Sequence, residues 1–402
     1  MRDRSHSVEK AVPTAAAAGA RRGMLPALLA FIASCGTPKR TAHTLADQMA
    51  ASVPGYHDIR FHADMAASDL AAKRDSFLPP SRGEDGRASW LALSSGGAGG
   101  AFGAGVLTGW SERGNRPQFD LVTGVSAGAL LAPFAFVGPA ADRELANLFT
   151  ADSVARLNRS RSLLAGIFGQ GALPSCELRA LIDAHLDAPL LDRIAARHRA
   201  GARLLIVTTN LDAQRSLVWD IGAIATSERP DRLHLIGDIL EASASIPAIF
   251  PPVRITVTAD GKSFEELHAD GGAMRQVYLL PDAFYSSAAL DGLRPDIHVV
   301  VDAELAPRFS VIPQQSIRIA ERALESLEKS NACGIVAGIA GFARQNQATF
   351  RLAYVDRAIP IDRRIPFDPA YMQGAFALGQ VKGRTGAWEA GPPVGTALLE
   401  TE

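Results

Sequence analysis

Gly124-Val125-Ser126-Ala127-Gly128 sets a serine between two glycines. Phe119–Thr123 just before it reads as a strand, and Ala127–Val137 after it as an apolar helix. A nucleophile elbow needs this context: Gly124 and Gly128 let the backbone turn sharply, and the hydroxyl of Ser126 projects from the corner. The helix start behind the serine presents free N–H groups and the positive end of a dipole, both of which favour developing negative charge. A bare Gly-x-Ser-x-Gly is a weak signal, because many matches are ordinary turns. The flanking strand and helix give it weight.

A second element, Ser94-Ser95-Gly96-Gly97-Ala98-Gly99-Gly100, lies between the apolar run Trp90–Leu93 and another helical pattern that continues through Trp110. Such a turn aims several backbone N–H groups at one point, a cradle for an anion. Nucleotide phosphate is the competing ligand. The Gly-x-Gly-x-x-Gly fingerprint can be traced only as far as Gly97 and Gly99, with Phe102 where its third glycine belongs. No Gly-Lys-Ser/Thr follows for a P-loop. Beside a nucleophile, amides of Gly96, Gly97, Ala98, Gly99 and Gly100 make better sense as an oxyanion hole. A third element, His268-Ala269-Asp270-Gly271-Gly272, offers a carboxylate at a Gly-rich turn, which gains meaning only from its company.

These residues need a scaffold, and the chain alternates strands with helices. Arg203–Thr209, Ser216–Trp219, Ile297–Val301 and Phe350–Val355 read as further strands. Asp142–Phe149, Glu177–Leu186, Leu233–Ser245 and Gln314–Ala343 read as helices. The pattern predicts an α/β layered domain with a mainly parallel central sheet flanked by helices. Residues 88–285 are expected to form the catalytic core, with 286–402 contributing C-terminal helices and a strand packed on it. Residues 36–87 read as a tether and lead-in.

The composition is that of a globular chain: 402 residues, 47% hydrophobic and 21% charged, with a net charge of -1. No basic stripe with interleaved aromatics appears, so nothing supports nucleic-acid binding. Three cysteines and nine scattered histidines fall into no metal-ligand spacing, so neither a metal nor another cofactor is expected.

Near the start, Arg21-Arg22 precede the apolar run Met24–Ala33, followed by Ser34-Cys35. The run is about ten residues, too short to span a bilayer but suited to a signal-peptide core. Positive charge, apolar run, small residues and cysteine, in that order, resemble a bacterial lipoprotein signal over residues 1–35. That resemblance implies cleavage before Cys35, its lipidation, and attachment to a membrane of the cell envelope. The alternative is a plain secretory signal with Cys35 incidental.

Four stretches together, LALSSGGAGGAFGAGVL, FDLVTGVSAGAL, EASASIPAIFPPV and HADGG, resemble the patatin-like phospholipase family in order and separation. The resemblance is firm over Leu91–Gly272 and looser to about Gly379. It implies a patatin-like layered fold and a lipid or other acyl-ester substrate. It also implies Ser126 as nucleophile, Asp270 in the Asp270-Gly271-Gly272 motif as its partner, and the Gly96–Gly100 amides as oxyanion hole. A Ser–Asp dyad would then replace the more familiar triad, and activity would fall at acid pH. The chain departs from the family pattern in its oxyanion loop, where Ser95 replaces the first of three glycines and Gly99 stands where Arg or Lys is usual. It departs again after the Asp-Gly-Gly motif, where many relatives carry an Asn and this chain has Ala273-Met274-Arg275-Gln276.

Other readings stay open at this level. A non-catalytic envelope lipoprotein would keep the fold as a binding module. A histidine-dependent esterase would need His298, which lies inside an apolar strand and reads better as structural. His268 would share a strand face with Asp270, either tuning it or lying at the site mouth. Leu163–Gly169 is a candidate lid or membrane-facing loop, or else ordinary core. The oligomeric state is not legible.

Overall fold

In the computed structural model the described residues are 40–79, 87–149, 175–287, 290, 293–360 and 367–393. Cys35 and Leu163–Gly169 lie outside them. Among the described residues nine strands build one sheet: β1 (Arg60–His62), β2 (Arg87–Leu93), β3 (Leu121–Val125), β4 (Arg203–Asn210), β5 (Arg215–Asp220), β6 (Val253–Ala259), β7 (Lys262–Asp270), β8 (Arg294–Glu304) and β9 (Thr349–Val355). The main order is β1-β5-β4-β3-β2-β8-β9. From β4 to β9 all pairings are parallel. β5 and β1 continue the sheet antiparallel. β7 joins the end of β4 antiparallel and forms a hairpin with β6.

Central strands read as unbroken apolar runs because both faces are covered. Leu91, Leu93, Val122, Leu204, Ile206 and Val300 belong to one buried cluster, and Trp90, Ala92, Leu121, Leu205, Val207 and Val299 to the cluster on the other side. The first is covered by α1 (Gly100–Glu112), α2 (Ala127–Val137), α3 (Arg232–Ala244) and α5 (Pro369–Thr385), the second by α4 (Ser316–Gln345). The elements from His43 onward form one compact unit. The fold is therefore a mixed α/β layered one, with a mainly parallel central sheet between helices.

The many glycines of α1 are explained by packing rather than by flexibility. A Cβ on Gly105 would lie 2.1 Å from the carbonyl oxygen of Phe376, and one on Gly379 2.1 Å from that of Phe102. Backbone meets backbone between α1 and α5, and so α5 holds in place the helix that follows the glycine loop. Among the described residues no helix is long and apolar enough to cross a membrane.

Candidate active site

The parallel strands all end on one edge of the sheet, and the three motifs converge there. β3 ends at Val125, and α2 begins at Ala127. Ser126 between them has φ 55° and ψ -120°, a conformation that non-glycine residues rarely adopt and that the surroundings must enforce. The surroundings leave no room for side chains. A Cβ on Gly124 would lie 2.5 Å from the carbonyl oxygen of Gly128, and one on Gly128 2.5 Å from the carbonyl oxygens of Leu93 and Ser94. The Gly128 N–H instead donates to the Ser94 carbonyl at 3.1 Å, tying the elbow to the glycine loop.

Asp270 is the last residue of β7, delivered there by the pairing of Thr208 with Asp270 in β4. Ser126 Oγ donates to Asp270 Oδ2 at 2.5 Å, and the other carboxylate oxygen accepts the Gly272 N–H at 2.7 Å. Both residues are buried. Burial pushes the Asp270 carboxyl up to about 7, against the opposing pull of its hydrogen bonds from Ser126 and Gly272; the charge of Glu328 adds to the rise. A carboxylate that ionises near neutrality is a far better proton acceptor than one on the surface.

In the glycine loop, the Gly99 N–H donates to the Gly96 carbonyl at 2.8 Å, and that of Gly100 to the Gly97 and Ala98 carbonyls. Of the five amides expected to face an anion, Gly99 and Gly100 thus turn inward. The amides of Gly96, Gly97 and Ala98 engage no acceptor among the described residues. At the elbow, the Ser126 N–H is taken by Ser243 Oγ at 3.1 Å, which leaves the Ala127 amide as the elbow's donor.

Residues 91–281 match the family model described as patatin-like phospholipase. This stretch of the chain belongs to the patatin-like phospholipase family. Two solved structures are similar to the chain. VipD from Legionella pneumophila is 14% identical, with 74% of this chain and 66% of VipD covered and a TM-score of 0.38. The type III effector protein ExoU is 16% identical, with 77% and 54% covered and a TM-score of 0.25. The chain thus spans just under two thirds of the first and about half of the second. Neither likeness is close enough to carry weight. No curated protein matches the chain.

The departures from the patatin-like pattern prove to be coupled. Ser95 Oγ donates to Gln276 Oε1, Gln276 Nε2 donates to the Gly272 carbonyl at 2.8 Å, and the Ser95 N–H donates to the Gln276 carbonyl at 2.8 Å. Ser95 and Gln276, both unusual for the family, therefore pair with each other and bolt the glycine loop to the acid turn. Gly99, where a basic residue is usual, faces the carbonyl oxygen of Asp302, which a Cβ would approach to 1.9 Å. No side chain fits.

Neither histidine hydrogen-bonds Ser126. His298 is buried with its ring inclined against those of Trp110 and Trp388, at centroid distances of 4.8 Å and 5.4 Å, a structural residue. His268 is fully buried rather than at the site mouth. Its Nδ1 lies 3.0 Å from Thr208 Oγ1 and its Nε2 3.0 Å from Glu266 Oε2. Trp219 Nε1 donates to Thr208 Oγ1, so Trp219, Thr208, His268 and Glu266 form one buried polar chain. Burial would raise the Glu266 carboxyl, but the hydrogen bond from His268 and the charge of Arg60 at 2.5 Å hold it at about 2. Arg60 belongs to β1, so the lead-in segment supports the strand that ends in Asp270.

An apolar pocket of about 490 Å³, partly open to solvent, rises from Ser126. Its wall includes Gly97, Leu130, Phe149, Leu181, Ile246 and Phe250. A second, separate pocket of about 300 Å³, open solvent included, shares Leu130, Leu148 and Leu181 with its wall. Ser243 was not singled out from sequence. It accepts from the Ser126 N–H and donates to the Val207 carbonyl at 2.7 Å, joining the elbow to β4. Its signal was the EASASIPAIFPPV stretch, which supplies both this strut and, through Ile246 and Phe250, the pocket wall. Among the described residues no cluster of side chains could hold a metal ion.

Proposed function

We propose that the chain is a serine-dependent lipid acyl hydrolase with Ser126 as nucleophile and Asp270 as base. The observation that carries this reading is the 2.5 Å hydrogen bond from Ser126 Oγ to a buried carboxylate, made at a strained elbow on the floor of an apolar pocket. Asp270 takes the hydroxyl proton as Oγ bonds to the ester carbonyl carbon. The amides of Gly97, Ala98 and Ala127 receive the oxyanion. Collapse of the tetrahedral intermediate expels the alcohol, which takes the proton from Asp270. Water then gives a proton to Asp270 and attacks the acyl-enzyme, releasing the fatty acid and restoring Ser126. The apolar wall of the pocket above Ser126 suits an acyl chain.

The family's activity supports a lipid ester as substrate. The test is to incubate the purified chain with a panel of phospholipids and acylglycerols and identify products by mass spectrometry. Release of free fatty acid that Ser126→Ala does not release is expected; no release from any lipid would refute the reading. The signal-like segment supports a further part of the proposal, that Cys35 is lipidated and holds the enzyme at a bacterial envelope membrane.

A further inference from the structure

The 30-residue helix α4 is apolar on the wrong side for half its length. Its second half packs on the sheet through Ala332, Val336, Ile339 and Ala343. At Asn331 it is fastened to the acid turn: the side chain accepts the Gln276 N–H at 2.9 Å and donates to the Met274 carbonyl at 3.1 Å. Its end leads into the start of β9, at the opposite edge of the sheet. Residues 316–330 therefore extend beyond the edge that carries Ser126 and Asp270, by roughly 20 Å at 1.5 Å per residue.

At about 100° per residue, Ile317, Ile319, Ala320, Ala323, Leu324 and Leu327 fall in one arc of roughly 160°. Arg318, Glu321, Arg322, Glu325, Glu328 and Lys329 fill the opposing arc. The buried residues of the second half are in register with the charged arc. Part of the charged side turns to the body of the protein, where Lys329 donates to the Ala306 carbonyl at 2.5 Å and Arg322 to that of Arg308, while Arg318, Glu321 and Glu328 stay exposed. The apolar arc faces outward: Ile317, Ile319, Leu324 and Leu327 are 65%, 54%, 57% and 68% exposed. Val311, just before the helix, is 83% exposed. An apolar face turned away from the core is not core that failed to be covered.

We propose that this projecting half of α4 docks the enzyme on a lipid surface, its apolar arc entering the boundary between headgroups and acyl chains. The partner's identity rests on the lipid-hydrolase reading. Three basic residues balance three acidic ones beside the arc, which suits a neutral surface and gives no electrostatic grip on an anionic one. A second copy of the chain is a poor occupant, because six small or aliphatic side chains fall well short of the roughly 20–30 residues per side of a stable interface. The position fits the task, since the arc stands on the edge of the sheet where substrate must arrive.

The test is co-sedimentation of the full chain with phosphatidylcholine vesicles, in a Cys35→Ala background so that no attached acyl chain contributes. Binding is expected, unaffected by added salt, and Leu324→Glu with Leu327→Glu should weaken it by about tenfold per side chain. Hydrolysis of a soluble short-chain ester should stay unchanged in that variant, while hydrolysis of vesicle-borne ester falls. Equal binding by both proteins, binding only to anionic vesicles, or a dimer that the variant splits without any vesicle binding would each overturn the proposal. Sedimentation needs no turnover, so it decides the docking question even if no ester is cleaved, the result that would sink the hydrolase reading alone.

Discussion

Asp270→Asn should inactivate the protein and also stabilise it, and the stabilisation should depend on pH. In the unfolded chain the Asp270 carboxyl releases its proton near the ordinary value of 3.8; in the fold, burial delays release to about 7. Between those values the folded state holds a proton that the unfolded state has lost, so stability falls as pH rises through the window. The slope is about 1.4 kcal/mol per pH unit, and about three units give roughly 4 kcal/mol, lost in full above pH 7. Asparagine fills the same space without a charge to desolvate. Urea unfolding of both proteins checks this at about pH 5 and about pH 8. The variant's advantage should be about 1.5–2 kcal/mol at the lower pH and about 4 kcal/mol at the higher. The same titration predicts that wild-type turnover falls with unit slope below about pH 7. An advantage of the same size at both pH values would refute the account of a desolvated base.

Gly128→Ala would force a Cβ to 2.5 Å from two carbonyl oxygens, and a loss of more than about 2 kcal/mol is expected in urea unfolding, together with loss of turnover. Ser243→Ala strands the Ser126 N–H and the Val207 carbonyl in a buried site, at a cost of about 1–3 kcal/mol, and kcat should drop more than KM rises. Cys35→Ala should abolish uptake of a fatty-acid analogue in a bacterial host and release the protein from the membrane fraction; a wild-type chain that takes up no label would leave only a secretory signal.

The elbow was legible because its parts are local. An apolar strand, two glycines around a serine and an apolar helix follow one another, and α2 runs over the residues the pattern predicted. The central strands were legible for the same reason, since a strand buried on both faces is a continuous apolar run. The β6–β7 hairpin was not, because residues such as Lys262, Glu265 and Glu266 break any apolar run. Its pairing with β4 joins residues about sixty positions apart, as Thr208 with Asp270. The Asp-Gly-Gly turn was therefore visible while the strand that places it was not. Side-chain struts were hidden for a further reason. Ser243 lies in a stretch whose resemblance was visible, but its role as a strut, like that of Gln276, exists only once distant strands meet. The helix α4 was visible as helical, but the reversal of its apolar face shows only against the sheet it packs on.

The central claim is that Ser126 is a nucleophile activated by Asp270. Treatment with a fluorophosphonate probe, followed by peptide mass spectrometry, tests it most directly, because only an activated serine reacts. The account predicts one adduct, on Ser126, forming faster as pH rises through about 7, absent in Ser126→Ala and slowed by orders of magnitude in Asp270→Asn. An adduct on a different serine, or full labelling of the Asp270→Asn protein, would contradict it.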